Sequence, residues 1–145
     1  MCIRDSKGPV SSGNAHNMFY ATRYDYLRIA KAIMDDYQKD TCVGRYLKEI
    51  YDRKVLKSVN HNGSRGEPIF NRTKYYGGQF HIGYPGLEKK VVFAMGGYGG
   101  KVILIDVEDS RIVVVNTIHY NHDQFRYDER KLLINPIKKG KKTFN

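Results

Sequence analysis

The run Met95-Gly96-Gly97-Tyr98-Gly99-Gly100-Lys101 has the composition of a loop that could cradle a phosphate. Such loops present backbone N–H groups to the anion at the start of a helix. Here the glycines lack the GxxxxGK[ST] spacing, and they open an apolar strand, Val102 to Val107, where a phosphate loop would open a helix. That excludes a phosphate loop. Glycine weakens a strand, so its presence there marks a tight turn, a bulge, or close approach of another backbone or a ligand. The run is therefore either a plain turn or the wall of a site.

Other chemistry is sparse. His119 and His122 are three apart near a strand end, a spacing that could share a metal on a helix. No third ligand is evident, and a surface pair is the simpler reading. His16, His61 and His81 are singletons, read as polar surface or satisfied core. Cys2 and Cys42 lie in no zinc or redox spacing. No serine is followed by lysine three residues on, and no GxSxG occurs. Asn62-Gly63-Ser64 and Asn71-Arg72-Thr73 match a glycosylation pattern that is frequent by chance. No metal or other cofactor is expected.

The net charge of +10 favours acidic partners, and the 12 tyrosines among the basic residues could stack on single-stranded nucleic acid. A small basic module binding nucleic acid or an anionic surface is thus an alternative function. Most of the tyrosines, however, fall on apolar helix faces, where core packing explains them, and nucleic acid is not the expected partner. No apolar run reaches the ~20 residues needed to span a bilayer.

The elements that must position the glycine run follow from periodicity. Residues 1–12 are read as disordered or artefactual: Met1-Cys2-Ile3-Arg4-Asp5-Ser6 resembles a translated sequencing-adapter tag, which would leave the natural N-terminus elsewhere. Thr22-Arg23-Tyr24-Asp25 reads as a helix N-cap with an acid at N3. Leu27, Ala30, Ile33, Met34 and Tyr37 then form one apolar stripe. A second helix is expected from Val43 to Arg53, with Tyr46, Leu47, Ile50 and Tyr51 inward. Residues 56–74 read as a long loop. Tyr75 to Ile82 reads as one strand, followed by strands at Val91–Met95, Val102–Val107 and Ile112–Thr117. The last three are near-continuous apolar runs, so both faces of the sheet must be covered by helices. Their short connections imply antiparallel hairpins. A final helix is expected from about Asp123, ended by Pro136, and residues 138–145 form a basic tail. The fold class is α+β, with an antiparallel sheet of three to four strands flanked by helices.

Tyr76-Gly77-Gly78-Gln79-Phe80, Phe93-Ala94-Met95-Gly96-Gly97-Tyr98-Gly99-Gly100, Ile103-Leu104-Ile105-Asp106 and Arg111-Ile112-Val113-Val114-Val115-Asn116-Thr117, in this order, resemble the C-terminal part of the serine beta-lactamase-like family. The family includes class C beta-lactamases, low-molecular-weight penicillin-binding proteins and 6-aminohexanoate-dimer hydrolases. Ala21 to Ala30 also looks like a helix of that family. The resemblance implies that residues 13–137 are a partial beta-lactamase-like domain, the C-terminal part of an α/β/α sandwich. It implies an acyl-serine hydrolase parent acting on a small ester, amide or beta-lactam-like substrate, periplasmic or exported.

In that family a K/H-x-G strand walls the cleft, and a backbone N–H just after it helps hold the oxyanion. Carried over, Met95-Gly96-Gly97 occupies the K/H-x-G position and Tyr98 N–H becomes the oxyanion donor. Met95, Gly96, Gly97, Gly99 and Gly100 would line the substrate. Met95 stands where the family has a cation, and methionine cannot donate a hydrogen bond to a substrate carboxylate. This leans the expectation toward an esterase- or amidase-like relative. The family's SxxK and YxN motifs are absent, so the chain is expected to be inactive alone, with its nucleophile on sequence upstream.

Overall fold

Thr22 starts the first helix as its spacing predicts. Its hydroxyl accepts from the Asp25 N–H at 3.2 Å, and its own N–H donates to Asp25 Oδ2 at 3.1 Å. This reciprocal capping satisfies two of the amides that a helix start leaves without partners. The computed structural model describes residues 21–57, 73–97, 101–115 and 133–140. Helix α1 spans Arg23–Gln38 and α2 spans Cys42–Asp52. Six strands follow: β1 Val55–Leu56, β2 Tyr75–Gly77, β3 Phe80–Ile82, β4 Val92–Gly97, β5 Lys101–Asp106 and β6 Arg111–Val115. A short helix, α3, covers Asn135–Lys139. The strands form one antiparallel sheet in the order β1-β2-β3-β4-β5-β6.

The class is α+β, but among the described residues the sheet has six strands instead of three to four. One added strand comes from dividing Tyr75–Ile82. Gly78 and Gln79 both adopt positive φ, 54° and 71°, and turn the chain between paired Gly77 and Phe80. A two-residue hairpin turn of this hand needs φ > 0 at both central residues. A Cβ on Gly78 would lie 2.4 Å from Ile50 Cδ1, so α2 sits directly on the turn. The other added strand is β1, at the start of the expected loop, where Val55 pairs with Tyr76 and Leu56 with Tyr75.

Residues 92–94 of β4 and 102–106 of β5 are buried on both faces, as expected, while β6 is half-buried along its length. Val92, Ala94, Val102 and Leu104 pack with Tyr84, Leu87, Leu133, Ile134 and Ile137 on the α3 side. Phe93, Ile103 and Ile105 pack with Phe80, Ile82, Ala30, Met34 and Leu47 on the side of α1 and α2. Alternating residues of each strand thus supply two separate cores.

The helices turn slightly from their expected faces. Leu27 is exposed, and Tyr26 joins the core in its place. In α2, Tyr46 is exposed, while Gly44, Leu47 and Tyr51 lie inward. Gly44 is the reason: a Cβ there would stand 1.8 Å from the Asp36 carbonyl oxygen. The two helices meet backbone to backbone at this glycine, and that contact sets the rotation of α2.

Pro136 does not end the last helix. It sits in the first turn of α3, where its fixed φ and missing N–H are suited to a helix start. Lys138 and Lys139 close that helix and so belong to the packed domain, not to a tail. The carbonyls of Ile137 and Lys138 accept from Arg111 at 2.9 and 2.6 Å, tying α3 to β6. The segment expected to be helical before residue 133, and residues 141–145, lie outside the described residues. Among the described residues no helix is long and apolar enough to cross a membrane.

Replacing Gly44 by Ala should cost about 3 kcal/mol or more, because the clash is with backbone that cannot move without separating α1 from α2. Urea unfolding of the variant tests this; an unchanged midpoint would mean the helices do not meet there.

Candidate functional site

Strand β4 carries the residues singled out from the sequence. Met95 is half-buried and packs on the core under α1 and α2. Gly96 belongs to the opposite face, since it alternates with Met95 and pairs with Val102, a member of the α3-side core. Its neighbours on that face, Ala94 and Val102, are buried, yet Gly96 itself is exposed. The strand therefore shows bare backbone to solvent where its partners show none. Gly97 pairs with Lys101 and closes the β4–β5 hairpin. Tyr98, Gly99 and Gly100 lie outside the described residues, as do His16, His61, His119 and His122. Among the described residues no three His, Cys, Asp or Glu side chains gather in a way that could hold a metal ion.

Asp106, quoted above for its place in the hairpin pattern, is a structural anchor. It is fully buried. Its Oδ1 accepts from the Glu108 and Asp109 amides at 3.2 and 3.0 Å, shaping the β5–β6 turn. Its Oδ2 accepts from Lys90 Nζ at 3.0 Å. Asp109 and Asp106 together raise the Lys90 pKa above its ordinary value.

A cluster that sequence reading did not find lies on the same face as Gly96. Phe80 and Ile82 point into the core under α1 and α2, so His81 between them points the other way, beside its strand partner Ala94. Lys57 Nζ donates to His81 Nδ1 at 2.8 Å and to the Thr73 hydroxyl. Thr73 Oγ1 lies 3.3 Å from the same imidazole nitrogen. Tyr76 sets its ring edge-on to His81, with centroids 5.2 Å apart. Backbone pairing positions the three: Lys57 N–H donates to the Lys74 carbonyl at 3.0 Å, directly beside Thr73. Thr73 is buried, while Lys57 and His81 are half-buried.

The electrostatics follow from that geometry. Burial, and then the Lys57 charge, push His81 down to about 4. Burial also lowers Lys57 below the usual lysine range. At neutral pH the imidazole is therefore uncharged, and with Lys57 donating to Nδ1 its proton is assigned to Nε2. The result is an amine, a hydroxyl and a neutral imidazole in mutual contact. No sequence spacing announces it, because Thr73 and His81 stand 16 and 24 residues from Lys57.

Two outcomes are expected. Asp106→Ala should destabilise the fold by about 3 kcal/mol, and Asp106→Asn by less, since its amide oxygen can still accept from the turn. Equal losses in chemical denaturation would refute that role. For His81 the folded pKa lies below the ordinary 6.5, so between pH 6.5 and about 4 the unfolded chain binds more protons. Stability should fall as the pH drops through this window. The Tm advantage of the parent over His81→Gln should shrink in step, while the carboxylates common to both proteins cancel. A constant difference across the window would refute this.

Comparison of the chain with protein-family models, curated proteins and solved structures gives no match.

Proposed function

We propose that the chain is the sheet portion of an acyl-serine hydrolase of the beta-lactamase-like type, in which the end of β4 walls a cleft for a small ester or amide. The reading rests on the sequence resemblance, and one structural observation supports it above others. Gly96 is exposed on a sheet face where Ala94 and Val102 are buried. An open glycine at a strand end lets a substrate carbonyl approach the backbone closely. The arrangement of α1 and α2 on one face and α3 on the other is compatible with an α/β/α sandwich.

In this reading Tyr98 N–H is the oxyanion donor and the neighbouring glycines keep the strand accessible. Met95 does not meet the substrate's charge, because its side chain packs on the opposite face. That favours an uncharged ester or amide over an anionic beta-lactam. With no SxxK in the sequence, the chain contributes binding and oxyanion stabilisation, without a serine–lysine nucleophile of its own.

The alternative of a basic nucleic-acid module has less support. On the helices Arg28 is paired with Asp25 at 3.0 Å, Lys31 with Asp35 at 2.6 Å and Arg53 with Glu49 at 2.9 Å. These pairs do not form the open basic stripe that a phosphate backbone requires.

Methylphosphonate, a mimic of the tetrahedral oxyanion, should shift the backbone amide signals of Gly97, Tyr98 and Gly99 in a nitrogen-15 NMR titration. Those amides staying still, or shifts confined to lysine-rich segments, would overturn the proposal.

A further inference from the structure

We draw no further inference here: the strongest candidate, the outer edge of the sheet at β6, where Ile112, Val113, Val114 and Val115 are half-buried and pair among the described residues with β5 alone, carries nothing because nothing in the structure shows what covers it.

Discussion

Phe93 is the contact on which the arrangement of the helices depends. It is fully buried in β4, and three rings meet it edge-on: Phe80 at 5.0 Å, Tyr37 at 5.8 Å and Tyr51 at 5.9 Å. These rings come from β3, α1 and α2, so one side chain joins the sheet to both long helices. Edge-to-face pairs add about 0.5–1.5 kcal/mol each beyond the area they bury, and they prefer particular ring angles. The cluster therefore orients the helices as well as holding them. Gly44 completes the constraint by allowing α1 and α2 to touch through their backbones.

With one face of the sheet committed to that packing, the other face divides along its width. Toward β5 and β6 it is closed by Leu133, Ile134 and Ile137, which pack on Val102 and Leu104. Toward β3 it carries Lys57, Thr73, His81 and Tyr76, with the exposed backbone of Gly96 on the same face. Half-burying an amine and an imidazole side by side disfavours both charged forms. A fold selected for stability alone would place apolar groups there. That departure from local consistency is why the region stands as a candidate site.

Much of the framework was legible because it depends on local chemistry. The capping box at Thr22 needs only residues three apart, and the apolar runs of β4, β5 and β6 state that both faces are covered. The departures arose where a distant contact overrode a local preference. Tyr46 belongs to an apolar helical stripe, but the close approach at Gly44 turns it outward. Residues 79–82 alternate, so 75–82 read as one strand, but Ile50 packs over the turn at Gly78 and the segment folds back on itself. Pro136 can stop a helix or start one; here it starts α3, whose Ile137 is buried against the sheet.

By itself the sequence determined the class of the fold, the antiparallel order of the late strands and the unusual glycine content of the β4–β5 hairpin. These follow from periodicity, turn chemistry and short connections, all properties of neighbouring residues. Only the tertiary structure decided which face each residue of that hairpin serves, sending Met95 into a core and leaving Gly96 open. Only the tertiary structure, too, brought Lys57, Thr73 and His81 into contact, because strand pairing sets such distances across separations that no spacing rule spans.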